Sequence, residues 1–431
     1  MINKLDQKGE WCFPNESLKY PGRLTFDIKD DLRLVLPNVR IPYEGEESKI
    51  IHGTLEDGSK ITLFFEIAFL NQNGTTILGD KFFIGAHYQN EQEILFSSIE
   101  VEFQGMSEWF SRTTFNTVNP TPNNMLKTFY EDFPTPFHIS DQFSIHIKSN
   151  IGVKVIEELS EIKQKYYFCI LSKKPCHFQD LVKLAIHYSR LFSIISRRLA
   201  LPLKIVFREE INGGSIEYVY RYSNINMLYN QSRKTIPFIK FQNIKESFGN
   251  ILKKWLQYED RLNESLNLWI SSNYNTSMPI STKFILMAQS IECLHSRIKK
   301  TTKKMSTKEY RKVKSDILNY IHDEHKELVA DALAHANKAT LHMRIQELID
   351  CYATDDFISE IKDKEDFIKR VKVTRNYYTH YSIDKKTSHL IAKKMELFYL
   401  TRHVSNLIVL AVLSEIGIDK EELEKESHIL Y

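Results

Sequence analysis

The spacing of apolar residues changes once along this chain, and that change dictates two kinds of architecture joined end to end. Up to about residue 155, apolar side chains recur at every second position. Leu24, Phe26 and Ile28 alternate with polar residues in "GRLTFDIKDDLRLVLPN", and Leu32, Leu34 and Leu36 resume the pattern after Asp30-Asp31. A period of two puts one set of side chains on one face, so this part reads as antiparallel β-structure, a sandwich or a barrel. "SKIIHGTLEDGSKITLFFEI" repeats the pattern around Asp57-Gly58, a hairpin signal. Further short strands are expected at 82–84, 94–96, 99–103 and 143–147. From about residue 241 the period is helical, with amphipathic stretches at 243–272, 280–299, 307–335, 340–351, 356–379 and 388–416.

The middle is mixed. Leu181, Leu184, Tyr188, Leu191, Phe192 and Ile195 have helical spacing, and "LKIVFREEINGGSIEYVYRY" reads as a hairpin turning on Asn212-Gly213-Gly214. The expected fold is therefore α+β and multidomain. A β-rich antiparallel domain (1–155) leads into a mixed α/β segment continuing it (156–275), and an all-α helical bundle (276–431) closes the chain.

At 431 residues the chain exceeds one ordinary core, and 42% hydrophobic against 26% charged residues lets it bury its cores without metals or disulfides. Its five cysteines (Cys12, Cys169, Cys176, Cys293, Cys351) form no C-x-x-C pair, which argues against a zinc ribbon or a disulfide framework. No cofactor is implied. "MINKLDQKGEW" lacks the apolar core of a signal peptide, and the run "LIVLAVL" (407–413) is far short of the ~20 residues that span a bilayer. A soluble cytoplasmic protein without a membrane partner is expected.

"RNYYTHY" (375–381) carries the chemistry. It closes a helix whose apolar positions are Phe367, Ile368, Val371, Val373 and Tyr378. On a straight helix Arg375 and His380 lie ~140° apart, whereas Asn376 and His380 are an i,i+4 pair. Asn376 is thus expected to orient the His380 ring. Arg375 reaches the same pocket only if the helix loosens near Thr379 or a second copy of the motif faces it. A histidine titrating near neutrality can move the proton of a ribose 2′-OH, and a guanidinium can grip the phosphate beside it. The plainer reading is a helix C-terminus with basic residues set against the macrodipole.

A second feature is the basic stretch "SRIKKTTKKMSTKEYRKVK" (296–314). Arg297, Lys299, Lys300, Lys303 and Lys304 open it as candidate RNA contacts, and Glu309 is its one acid. A solvated loop is the alternative. "HDEH" (322–325) offers two imidazoles but no third ligand at convincing spacing, so no metal site is expected. Cys176-His177 could form a nucleophile pair but has nothing to orient it. Trp11, Trp109 and Phe110 are read as core or partner surface.

"RNYYTH" (375–380), on a bundle that opens with "FILMAQSIECLHSR" (284–297), resembles a HEPN domain of the ApeA-like group. "GEWCFPN…PGRLTF" (9–26) and "IIHGTLEDGSKITLF" (50–64) are similar to the β-rich N-terminal domain of that group. The resemblance implies an anti-phage defence effector in which Arg375 and His380 are the catalytic pair of a metal-independent endoribonuclease, with Asn376 the polar residue after the arginine. It further implies an RNA substrate such as tRNA, abortive infection, homodimerisation through the HEPN domain, and a phage-derived trigger at the N-terminal domain. Glu292 matches a recurrent acidic position. The rival is a non-catalytic HEPN binding or dimerisation module carrying a ligand-sensing β-domain.

Overall fold

The computed structural model describes residues 4–27, 31–40, 49–72, 74–110, 136–156, 159–208, 214–221, 237–299, 303–382 and 384–430. The turns expected at Asp30 and at Asn212-Gly213, and Lys300, lie outside the described residues. Two compact units divide the chain, Met1–Leu256 and Gln257–Tyr431.

In the first unit, the strands are β1 (Lys4–Cys12), β2 (Tyr20–Asp27), β3 (Leu32–Pro37), β4 (Lys49–Leu55), β5 (Lys60–Asn71), β6 (Gly74–Ile84), β7 (Leu95–Phe103), β8 (Phe137–His138), β9 (Phe143–Ile156), β10 (Leu159–His177), β11 (Pro202–Arg208) and β12 (Ser215–Tyr220). Each pairs antiparallel with its neighbours in the order β3-β2-β1-β4-β5-β6-β12-β11-β7-β10-β9-β8. A further pairing of β3 with β6, Leu32 opposite Gly79, closes the first six strands into a barrel. Barrel, not sandwich, is therefore the architecture, and the last residues of β6 lead from it into an open sheet through β12.

The period-two residues fill the barrel: Trp11, Leu24, Phe26, Leu32, Leu34, Leu36, Ile51, Leu63 and Ile77 are buried together. Gly53 makes room for the largest of them, since a Cβ there would stand 2.4 Å from the Trp11 ring. The Asp57-Gly58 turn is present, with Gly58 at φ 84° and Asp57 Oδ1 accepting from Ser59 N at 2.9 Å. The unit's helices are α1 (Met106–Phe110), α2 (Phe178–Ser196), α3 (Phe241–Ile244) and the start of α4 (Phe248–Tyr274). Of these, α2 packs on β7, β10 and β11. Trp109 and Phe110 are core, the indole Nε1 donating to Ile239 O at 2.7 Å.

Among the described residues the second unit is helical, apart from an isolated bridge between Lys303 and Lys338. It takes the rest of α4, then α5 (Ile280–Ile298), α6 (Thr307–Asn319), α7 (Asp323–Ala334), α8 (Leu341–Tyr352), α9 (Asp355–Ile361), α10 (Lys364–His380), α11 (Met395–Glu415) and α12 (Lys420–Glu426). Contacts among α5, α8, α10 and α11 make its core, from Phe284, Met287, Ile291, Ile345, Leu348, Phe367, Val371, Leu407 and Val412 among others. Ser265 and Ser290, both fully buried, exchange hydrogen bonds where α4 meets α5.

Three of the expected helical stretches do not run as single helices, and at two of them a capped helix start marks the division. The stretch 307–335 divides into α6, opened by a Ser306/Glu309 capping box, and α7. The stretch 356–379 divides at Lys362 (φ 61°), after which the Asp363 side chain caps α10. The stretch 388–416 begins as a 3-10 turn, and α11 starts only after Lys394 (φ 51°). At 21 residues α11 is, by length and composition, apolar enough to cross a membrane, which the seven-residue run 407–413 did not convey. Its most apolar window is 72% buried in the protein, as in the core helix of a bundle.

Candidate active site

Helix α10 buries Phe367, Ile368, Val371 and Thr374, which fixes where its last turns point. Thr374 latches the returning chain: its Oγ1 accepts from Ala392 N at 3.0 Å and donates to Leu390 O at 3.4 Å. The helix stays α-helical through His380 and ends on Tyr381, whose N–H donates to Tyr377 O at 2.6 Å. It does not loosen at Thr379, so Arg375 and His380 leave one chain on faces ~140° apart.

Arg375 turns towards α5. Its Nη2 lies 3.5 Å from Glu292 Oε2, and its Nη1 donates to Asn376 Oδ1 at 3.3 Å. Asn376 therefore contacts the guanidinium, and no hydrogen bond joins it to His380. A charged donor fork next door is the stronger partner for an amide oxygen. His380 is exposed in the last turn.

Behind Arg375 a half-buried set of hydrogen bonds around buried His295 ties α5 to α8. Arg344 Nη1 donates to Glu292 O at 3.2 Å and faces His295 Nδ1 at 3.2 Å, while His295 Nε2 lies 2.9 Å from Glu347 Oε2. An N–H facing Nδ1 requires that nitrogen to accept, so Nε2 carries the hydrogen and donates to Glu347. Burial pushes the His295 pKa down, consistent with a neutral ring. Glu292, the backstop of Arg375, is thereby fixed from its own backbone.

The basic stretch spreads over several elements. Arg297 lies 3.6 Å from Glu264, and Lys299 Nζ sits 5.2 Å from the centre of the Tyr352 ring. Lys303 Nζ donates to Thr307 Oγ1 at 2.9 Å, and Lys303 and Lys304 are exposed. No contact joins these four side chains to Arg375 or His380.

A second basic stretch, absent from the sequence reading, surrounds the motif itself. Residues 369–394 hold Lys369, Arg370, Lys372, Arg375, Lys385, Lys386, Lys393 and Lys394 against the single acid Asp384. All but the two arginines are exposed. Basic residues interleaved with tyrosines were the available signal. The rings form a cluster: Tyr377 is 4.9 Å from Tyr378 and 5.8 Å from Tyr381 between centres, with Lys393 Nζ 5.9 Å from the Tyr377 centre.

Other candidates recede. His177 Nε2 donates to Glu91 O at 2.9 Å and burial raises the Cys176 thiol pKa, the opposite of an activated nucleophile. Among the described residues no three His, Cys, Asp or Glu side chains converge as a metal site. A cleft of about 800 Å³ lies on the outer face of the barrel, between Lys8, Pro21, Arg23, Val35, Pro37 and Thr54.

Residues 7–255 match the family model described as ApeA N-terminal domain 1, and residues 285–422 match that described as Apea-like HEPN. No curated protein matches the chain.

Proposed function

Because the chain belongs to the ApeA family, whose HEPN domains serve anti-phage defence, we propose that it is a metal-independent endoribonuclease of the cytoplasm. Arg375 and His380 are its catalytic pair. One His380 takes the proton of a ribose 2′-OH, and the 2′-oxygen attacks the adjacent phosphorus. The bond to the 5′-oxygen breaks, and the His380 of a second copy protonates that leaving oxygen. The products are a 2′,3′-cyclic phosphate and a 5′-hydroxyl. Arg375 neutralises the phosphate as charge builds on it, and Asn376 and Glu292 hold the guanidinium ready.

The observation that carries this reading is the regular end of α10. With Arg375 and His380 ~140° apart on one helix, only a two-fold pairing of chains would set each arginine against the other chain's histidine. Arg297, Lys299, Lys300, Lys303 and Lys304 bind RNA phosphates further out. The substrate is tRNA or another structured RNA with an exposed loop, where bases are free to splay. The N-terminal domain senses a phage-derived trigger, for which the barrel cleft is a ready surface, and host RNA cleavage then aborts the infection. The non-catalytic reading draws on the Arg375–Glu292 ion pair, which could serve only to tie α10 to α5.

Cleavage by Arg375→Ala, by His380→Ala and by a mixture of the two chains, purified from infected cells and assayed in EDTA, tests the proposal. Each variant alone is expected to be inactive, and so is the mixture, because a heterodimer carries one His380 where the step uses one as base and one as acid; activity regained in the mixture would show that a single His380 serves both roles. Cleavage by folded His380→Ala at the wild-type rate would overturn the role of His380, and no cleavage by the wild-type protein would leave the non-catalytic module as the reading.

A further inference from the structure

Three tyrosines close α10, and one of them holds a backbone conformation that its side chain disfavours. Tyr381 ends the helix at φ 50°, ψ 23°, the left-handed region where glycine or asparagine is the usual choice. Its side chain gains no burial in return, for the residue is 69% exposed. A bulky aromatic is thus held, one residue after the proposed catalytic histidine, where a small residue would end the helix with less strain.

The surroundings define a ligand. Tyr378 is the anchor of the ring cluster, its hydroxyl donating to Ala392 O at 3.4 Å. Tyr377 packs at 65° to Tyr381 and steadies it from the side. Lys393 stands over Tyr377, and exposed Lys385 and Lys386 follow in the next loop. An exposed aromatic face with a cation over the neighbouring ring and further lysines close in sequence suits a flat π-system attached to an anionic backbone. It does not suit a duplex, whose bases keep their faces stacked within the helix.

We propose that Tyr381, backed by Tyr377, is the stacking face for an unpaired nucleobase of single-stranded RNA beside the phosphate that Arg375 and His380 act on, and that Lys393 contacts a neighbouring phosphate. The proposal rests on the ribonuclease reading above and names how its substrate is chosen. A base drawn out of a loop onto Tyr381 places its nucleotide next to His380, so selection for unpaired RNA is built into the motif.

The test uses the full chain carrying His380→Ala, so that binding is read without turnover. Affinity is measured for a fluorescent single-stranded RNA, for the same RNA in a duplex, and for versions with one base removed at each position in turn. Adding Tyr381→Ala should weaken single-stranded binding by roughly 5–150-fold, the range for loss of one stacked base, and change duplex binding little. Tyr381→Phe should recover most of the loss. Tyr381→Asn should keep the left-handed helix end yet bind as weakly as Tyr381→Ala, which separates stacking from capping. At one abasic position the difference between the parent and Tyr381→Ala should vanish.

Equal binding by parent and Tyr381→Ala would overturn the proposal. So would recovery by Tyr381→Asn, no RNA binding by the parent, or a loss explained by a changed oligomeric state in sedimentation. Failure of the ribonuclease reading would show separately, as equal cleavage with His380 intact or replaced.

Discussion

Glu292 and His380 are expected to differ by orders of magnitude when replaced. The Arg375–Glu292 pair spans 3.5 Å with both side chains about one-third exposed. A pair so exposed is worth roughly 0.2–1 kcal/mol, so Glu292→Gln should lower kcat/KM by only about 1.4–5-fold. Loss of a general acid–base costs roughly 10²–10⁴-fold, which is the expectation for His380→Ala. Steady-state kinetics on one RNA would compare them, and a Glu292→Gln loss as large as that of His380→Ala would make Glu292 a proton carrier rather than a support. The sequence offered Arg375, Asn376 and His380 as candidates, but it expected Asn376 to bond to His380, where the amide oxygen meets Arg375 instead. Spacing states which side chains share a face; it does not state that a guanidinium one residue away will take the Asn376 oxygen first. Lys393 was invisible beside Tyr377 for a different reason, since a loop of a dozen residues brings it back.

At the scale of elements, α2 and α4 are clasped within the N-terminal unit by His187 and Trp255. Each side chain donates to the other's backbone carbonyl, at 3.2 and 3.1 Å, and the rings stack 5.1 Å apart. Burial drives the His187 pKa down to about 3, the neighbouring Arg190 adding to the effect and the Trp255 carbonyl opposing it. A pKa below that of the unfolded chain means the unfolded state binds the extra proton between pH ~6.5 and ~3. Stability from this group is thus complete above pH ~6.5 and is lost as pH falls through that window. Between pH 6.5 and 5 the loss should be about 2 kcal/mol. Urea unfolding at the two pH values should show it in the wild type and much less of it in His187→Phe. The same pH slope in both would contradict the assignment. Helix and strand periods were legible here because they are local. Barrel closure was not, because it depends on β3 meeting β6 far along the chain, from Leu32 opposite Gly79 to Pro37 opposite Gly74. The helix breaks at Lys362 and Lys394 escaped because positive φ at a lysine has no compositional signature.

For the whole molecule, the sequence showed the change from strands to helices near residue 241, and the compact units divide at Leu256. Local period could name 156–275 a mixed segment continuing the N-terminal part but not its pairing: β10, β11 and β12 lie in the same sheet as β6 and β7, a joining made by non-local pairing. In the proposed account the first unit senses infection and the second cuts RNA, and the chemistry of the cut ends is where the account is most exposed. RNA termini should be mapped in infected cells carrying the wild-type protein or His380→Ala. The account predicts new 2′,3′-cyclic phosphate and 5′-hydroxyl ends in unpaired loops with the wild type, and none with His380→Ala. The same new ends in both strains, or ends bearing a 3′-hydroxyl and a 5′-phosphate, would contradict it.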